Sequence, residues 1–427
     1  MSKQILPTLR RMRPSATLAI NERSKALEAS GKHIFRLGLG QSPFPVPASV
    51  TEALRKHAAE KDYLAVQGLD ALRDVVAHWH NQRTQRSYGP DNVIIGPGSK
   101  ELLFLLQLVS TRRLTLPSPS WVSYGPQAQI LGRDVDWIDT SFETRWSITA
   151  EALEELCLKT PSIPRLLLLN YPSNPTGLTL PRTELKAIAE IARKHNMLIV
   201  SDEIYGALTF EEAHTSIADY YPEGTIITSG LSKWCGAGGW RLGYAVIPDQ
   251  QRATMKALQT VASETFTSVS APIQYASVRA FERSPEIDRY LADCNRLLSG
   301  LADAITTRLA QCGARVHRPE GGFYIFPDFS PGRLQLNARG IHTSAEMAER
   351  ILDETGVAFL PGSCFGRPSS EFTARMSFVD FDGAHALAAL GKICLDTVLT
   401  PTTIETLCAP TIKAISLIAD WFGPCHD

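Results

Sequence analysis

Four short runs in this 427-residue chain gather polar and reactive residue types just past candidate strands. The first is Ser229-Gly230-Leu231-Ser232-Lys233, followed by Gly238-Gly239-Trp240-Arg241-Leu242-Gly243. A lysine just beyond a buried strand end is partly desolvated, which lowers its pKa and makes it a Schiff-base candidate. Ser232 and Arg241 bracket it with the hydroxyl and guanidinium that suit a phosphate. An exposed Lys–Arg pair on a glycine-rich loop would read the same way. The second run is Ser201-Asp202-Glu203-Ile204-Tyr205. A buried carboxylate at a strand end needs a partner, and a protonated pyridine nitrogen is one. A plain helix N-cap is the other role open to Asp202. The third is Asn170-Tyr171-Pro172-Ser173-Asn174-Pro175-Thr176-Gly177, a rigid loop in which Asn174 is held extended before Pro175. Alone, it reads as a turn. The fourth is Gly96-Pro97-Gly98-Ser99-Lys100-Glu101. Small residues at a helix N-terminus offer free N–H groups and a positive dipole end to a phosphate. Its spacing fits neither a Walker A loop nor a dinucleotide-binding turn.

Ligands of open parallel sheets bind where strands end, so each run needs a strand before it. Candidate strands are residues 92–95, 114–116, 135–138, 165–170, 197–201, 225–228 and 243–247. The stretches Leu166-Leu167-Leu168-Leu169 and Met197-Leu198-Ile199-Val200 are continuously apolar, as in strands buried on both faces. Helical patterns such as 180–195 alternate with them, which predicts an α/β fold: a mostly parallel sheet sandwiched by helices. Residues 250–310 read as long helices. After Pro319 come a strand at 323–326, an amphipathic helix at 344–355 and a strand at 373–379, the texture of a smaller α+β domain. At the N-terminus a helix at 15–30 and a strand at 34–39 lead into Gly40-Gln41-Ser42-Pro43-Phe44-Pro45. An apolar helix at 412–422 is expected to pack on the body.

Composition narrows the function. Lysine and arginine number 43 against 44 acidic residues, so no basic excess favours nucleic acid or an anionic membrane. No apolar run reaches the roughly 18 residues that span a bilayer. The N-terminal Arg10, Arg11 and Arg13 lack the apolar stretch of a secretory signal, and a transit peptide would be longer and richer in serine. Eight scattered cysteines without a C-x-x-C pair are expected to be free buried thiols in a reducing cytosol. Cys235, two residues after Lys233, is read as structural. His78 and His80 diverge on a helix, and Cys425-His426 is too sparse for zinc, so no metal site is expected.

Taken in order, the four runs resemble the class I/II aminotransferases, pyridoxal-phosphate-dependent enzymes of fold type I. The gaps agree: 28 residues from Asn174 to Asp202, 31 from Asp202 to Lys233 and 8 from Lys233 to Arg241. The resemblance covers about residues 34–379. It implies that Lys233 holds pyridoxal 5'-phosphate covalently, that Asp202 pairs with its ring nitrogen, and that Tyr205 and Asn174 bond its 3-oxygen. Gly98, Ser99, Lys100, Ser232 and Arg241 would seat the phosphate. Trp121, in Pro119-Ser120-Trp121-Val122-Ser123-Tyr124, would stack on the ring, and Tyr63 would reach the phosphate of a neighbouring subunit. Arg375 would grip the substrate α-carboxylate, and Gly40 would line the substrate pocket beside Asn174. Read singly, Trp121 also fits a core residue and Arg375 a surface ion pair.

The resemblance further implies a division into an N-terminal segment, 1–45, that joins the small domain, a large cofactor-binding domain, 46–300, and a small domain, 301–427. The expected enzyme is a cytoplasmic homodimer with shared active sites, moving an amino group between an L-amino acid and a 2-oxo acid by a ping-pong route. Lyases and synthases on the same scaffold, such as those resembling cysteine-S-conjugate β-lyase or aminocyclopropane-carboxylate synthase, would use the same residues. A transcription regulator built on this scaffold needs a DNA-binding module ahead of it, and the 33 residues before Ile34 are too few. Two departures stand out. Gly230 replaces a frequent phosphate-binding serine, and the stretch 108–116 is shorter than usual, leaving the end of its helix undefined.

Overall fold

The computed structural model describes residues 16–84 and 86–423, together with 8, 9 and 12. Arg10, Arg11, Arg13, Ser15, Cys425 and His426 lie outside the described residues. The strands are β1 (Phe35–Arg36), β2 (Val93–Gly96), β3 (Arg113–Ser118), β4 (Val135–Asp139), β5 (Arg165–Asn170), β6 (Leu198–Asp202), β7 (Thr225–Gly230), β8 (Gly243–Val246), β9 (Tyr324–Ile325), β10 (Val357–Ala358), β11 (Leu360–Pro361) and β12 (Ala374–Ser377).

All seven strands expected between residues 92 and 247 form one sheet in the order β2-β8-β7-β6-β5-β3-β4. Only β8 runs antiparallel, to both β2 and β7. The leucine run of β5 shows why the sheet must be covered on both sides. Leu166 and Leu168 pack into one apolar cluster with Leu102, Leu105 and Leu258. Leu167 and Leu169 pack into another with Leu153, Leu185 and Ile188. Alternate side chains leave opposite faces of a strand, so a continuous apolar run requires helices on each face. Those helices are Ser99–Val109 and Arg252–Glu264 on one side, and Ala150–Lys159 and Arg182–Lys194 on the other. The first of them runs to Val109, and three residues lead from it into β3, which defines the end that the short connection had left open.

Two small sheets tie the chain's ends together. β1 pairs in parallel with β10, and β11, β12 and β9 form an antiparallel sheet. The strand expected at 34–39 shrinks to two residues. Beyond Arg36 the backbone leaves the ladder, and its carbonyls at Leu37 and Leu39 accept hydrogen bonds from the Ser377 backbone and hydroxyl at 2.8 and 2.9 Å. The helix Ser344–Thr355 matches its expected span, started by a Thr343–Glu346 capping box and ended at Gly356 with φ 77°. The C-terminal helix begins three residues earlier than expected, as Ala409–Phe422, with Pro410 in its first turn. It buries Ile415, Ile418 and Phe422, whose ring stacks on Phe329 at 4.4 Å.

The cysteines correct one expectation. Cys157, Cys235, Cys294 and Cys408 are buried, but Cys312 and Cys364 are only partly so and Cys394 is exposed. Burial pushes the Cys235 thiol far up, as suits a structural residue. His78 faces outward beside Gln82, whereas buried His80 meets the Tyr244 hydroxyl at 3.0 Å. Among the described residues, no helix is long and apolar enough to cross a membrane.

Candidate active site

The C-terminal ends of β5, β6 and β7 open into a cavity of about 360 Å³ that gathers Gly40, Ser99, Lys100, Trp121, Asn174, Asp202, Tyr205, Ser232, Lys233, Arg241 and Arg375. Two of the expected residues stand apart. Neither Gly98 nor Tyr63 lines the cavity: Gly98 is buried just before the Ser99–Val109 helix, and Tyr63 has 90% of its surface exposed.

Asp202 ends β6 and is buried. Its Oδ2 accepts a 2.7 Å bond from the Tyr124 hydroxyl, and Thr228 Oγ1 lies 3.5 Å from Oδ1. No cation faces it at ion-pair distance among the described residues. Burial therefore raises its pKa to about 6, against the opposing bond from Tyr124. A buried carboxylate in that state is poised for a cationic partner. Asn170, at the end of β5, fixes both neighbours: its Nδ2 donates to the Asp202 carbonyl at 2.8 Å, and its Oδ1 accepts from the Asn174 N–H at 2.7 Å.

Lys233 follows β7 and is half-buried. Its Nζ donates to the Gly40 carbonyl at 2.7 Å and lies 5.7 Å from the rings of Tyr205 and Phe323. Gly98 caps the Ser99–Val109 helix at φ 89°, and a Cβ there would lie 2.4 Å from Arg241 Nη2. A Cβ on Gly243 would lie 2.2 Å from the Ser99 nitrogen. These two glycines let the helix N-terminus, the guanidinium and β8 pack closely, so that Ser99 and Arg241 face the cavity together with Ser232, a donor set that suits a phosphate. Arg241 itself takes the left-handed conformation, φ 55°, and bonds the Gly238 carbonyl at 3.0 Å. Gly230 has a packing reason: a Cβ there would meet the Leu242 carbonyl oxygen at 2.6 Å, so a serine would not fit without moving β8. Lys100 lies 5.1 Å from the Trp121 ring, and desolvation, then Arg241 and Lys233, lower its pKa.

Arg375 is 1% exposed on β12, so it is no surface ion pair. Its Nη2 donates to the Gly38 carbonyl and its Nη1 to Asn174 Oδ1 at 3.4 Å, while Nε has no partner. The described residues place no carboxylate against it. A buried guanidinium with donors to spare is a seat for an anion.

The sequence of residues 32–393 matches the family of aminotransferases of class I and II. The chain belongs to that family. An aspartate aminotransferase of Bacillus sp. (strain YM-2) is 32% identical over 389 residues, covering 88% of this chain and 95% of the relative. The aspartate aminotransferase of Geobacillus stearothermophilus is 34% identical, covering 84% and 90%. The solved structure of Thermus thermophilus aspartate aminotransferase with maleate superposes with a TM-score of 0.82 at 27% identity, covering 97% of this chain and all of that one. The fold is thus pyridoxal-phosphate fold type I, and the chain is an aminotransferase, moving an amino group between an amino acid and a 2-oxo acid. The family implies pyridoxal phosphate as cofactor, and the donor set suits it. Asp202 is a buried carboxylate suited to a cation, Lys233 offers an amine, and Ser99, Ser232 and Arg241 offer donors to a phosphate.

Reading the sequence missed Tyr124, Tyr324, Asn170 and Thr228 at this aminotransferase site, together with Leu18, which brings the N-terminal helix to the cavity. Tyr124 and Asn170 stand inside runs that were singled out, but nothing in spacing alone marks them. Tyr324, like Phe44, Phe323 and Phe365, reads in the sequence either as core or as an aromatic favouring aromatic substrates, with nothing that links it to Tyr205 or Arg375.

Proposed function

We propose that this aminotransferase acts on an acidic L-amino acid, aspartate first, with a 2-oxo acid as acceptor. The observation that carries the reading is the kinship with enzymes named aspartate aminotransferases, 32% and 34% identical over most of the chain. The cavity's charge suits anionic ligands: Lys100, Arg241 and Arg375 face it, while Lys233 is taken up by the cofactor and the moving proton and Asp202 by the ring nitrogen.

In this reading Arg375 and Asn174 bind the α-carboxylate, as the free Nε and the 3.4 Å contact suggest. Arg241, Ser99, Ser232 and the helix N-terminus hold the phosphate, and Trp121 covers the ring. Asp202, fixed by Tyr124, keeps the ring nitrogen protonated. The bound cofactor supplies an electron sink for the carbanion formed when the α-proton leaves. Lys233, freed by the incoming amine, would accept that proton at Nζ and pass it to the cofactor carbon that bears the transferred nitrogen. Tyr205 donates to the ring 3-oxygen. The enzyme works as a cytoplasmic homodimer in which the exposed Tyr63 reaches the neighbour's phosphate, with a large domain at 46–300 and a small one built from 1–45 and 301–427.

The test is an absorbance spectrum of the purified protein loaded with pyridoxal phosphate, then titrated with single amino acids without an oxo acid. Aspartate should convert the lysine-bound form to the amine form at lower concentration than alanine or leucine. Equal or better conversion by neutral amino acids would overturn the acidic choice. Release of pyruvate and ammonia without an acceptor would make the chain a lyase.

Arg375→Leu should raise KM for every amino acid and lower kcat/KM by about 100-fold, the scale of a lost buried charge pair. Thermal stability should hold or rise, because the change removes a buried cation with no counter-ion. An unchanged KM would remove Arg375 from the binding site.

A further inference from the structure

Tyr324 stands between two groups placed in the mechanism, Tyr205 and Arg375, and no role has been given to it. It lies on β9, 2% exposed, opposite Ser377 of the strand that carries Arg375. The Arg375 guanidinium carbon sits 4.7 Å from its ring centre. Its hydroxyl accepts from the Tyr205 hydroxyl at 3.1 Å, an arrangement that must reverse once Tyr205 donates elsewhere. Gly40, whose carbonyl accepts from Lys233, packs so close that a Cβ would lie 1.7 Å from the Tyr324 oxygen. On the other side, a Cβ on Gly177, in the loop of Asn174, would lie 2.2 Å from the Tyr324 carbonyl. Gly40 thus makes room for the tyrosine hydroxyl, and Gly177 for the backbone of its strand, at the meeting point of the α-carboxylate seat and the reactive lysine.

From this placement we propose that Tyr324 is a positioning residue whose hydroxyl donates to Tyr205 and whose ring supports Arg375, so that one side chain serves both proton transfer and carboxylate binding. The inference rests on the cofactor reading above. Each phenol has one proton to give. When Tyr205 donates its proton to the cofactor's ring oxygen, its own oxygen is left as an acceptor, and the nearest hydroxyl is that of Tyr324. A donor chain of this kind polarises: Tyr324 bonding into the Tyr205 oxygen makes Tyr205 the stronger donor. A stronger bond to the ring oxygen stabilises its negative charge and so lowers the proton affinity of the nitrogen joined to Lys233. Among the charged groups around that nitrogen, Asp202, Lys100, Arg241 and Arg375 come from other elements and are left in place when Tyr324→Phe removes only the hydroxyl. The ring has a separate task. The face of a phenol attracts a guanidinium, which matters where the cation is buried.

The two tasks come apart in two variants. Tyr324→Phe keeps the ring and removes the hydroxyl. In the cofactor-loaded enzyme it should raise the midpoint of the pH-dependent absorbance change of the lysine-bound cofactor by about 0.5 pH unit, with KM for the amino acid within about twofold. Tyr324→Leu removes the ring as well and should raise KM by about 10-fold. In a Tyr205→Phe background, adding Tyr324→Phe should move the midpoint no further, because the acceptor it acts through is gone. A purely structural role would shift the midpoint by the same amount in both backgrounds and would overturn the proposal, as would an unmoved midpoint in Tyr324→Phe. A wild-type protein that shows no lysine-bound cofactor absorbance overturns the cofactor reading itself, and this inference with it.

Discussion

Lys233→Ala should lose amino transfer almost completely, with kcat for aspartate down by about 10,000-fold or more, since both the covalent anchor and the proton carrier are gone. The loss should not come from unfolding. Lys233 is half-buried, and its one hydrogen bond in the structure goes to the Gly40 carbonyl, so the change in stability should be about 1 kcal/mol or less. Borohydride reduction separates the two roles. It should fix the cofactor to the wild-type chain, as an added mass on the peptide that contains Lys233, and leave no such mass on the alanine variant. A variant that keeps transamination within tenfold of wild type would remove Lys233 from the chemistry. A label on another lysine would move the anchor.

Why this lysine was legible in the sequence, while the tyrosine beside it was not, has a physical basis. A parallel sheet buried on both faces writes itself as continuous apolar runs, and the polar residues just past each run stand where strands end. Lys233 and Asn174 follow β7 and β5, Asp202 ends β6, and so all three share one edge of the sheet. Arg375 sits on a four-residue strand, 142 positions after Lys233, and its burial comes from the packing of β12 against β9 and β11. Only the resemblance pointed to it, and isolated reading favoured an exposed ion pair. Tyr124 and Tyr324 are harder still. Both are aromatic residues in apolar surroundings, where most rings simply fill space. What distinguishes them is the hydroxyl at the end of each ring, 2.7 Å from Asp202 in one case and 3.1 Å from Tyr205 in the other. Those distances arise from tertiary packing. The short strands failed for a related reason. The segment after Arg36 was expected to continue as a strand. Its carbonyls are instead taken by the side chains of Arg375 and Ser377, which hold the Gly40 loop against the cavity.

Asp202→Asn should separate stability from function in opposite directions. Folding places this carboxylate in a dry site without a cation, and its pKa climbs from 3.8 to about 6. The folded cofactor-free protein thus binds more protons than the unfolded chain between those values, and its stability falls as pH rises through them. Above pH 6 the full penalty applies, about 3 kcal/mol for a shift of this size. Asparagine carries no charge, and its Oδ1 still accepts from Tyr124. In the cofactor-free state at pH 8 the variant should therefore unfold at higher temperature than wild type. The advantage should shrink as pH falls through 6 and vanish below about 4, where wild-type Asp202 is protonated in both states. The cofactor reverses the balance. Its cationic ring nitrogen satisfies Asp202 but gains nothing comparable from an amide, so the variant should bind pyridoxal phosphate more weakly. Its kcat should fall by about 100- to 1,000-fold, the range for losing one charge that stabilises a developing carbanion. Thermal unfolding of both cofactor-free proteins across pH 4–8 is the measurement. Equal unfolding temperatures at pH 8 would mean that Asp202 is not an uncompensated charge. A variant that gained stability and kept full activity would mean that the charge is not held for the cofactor.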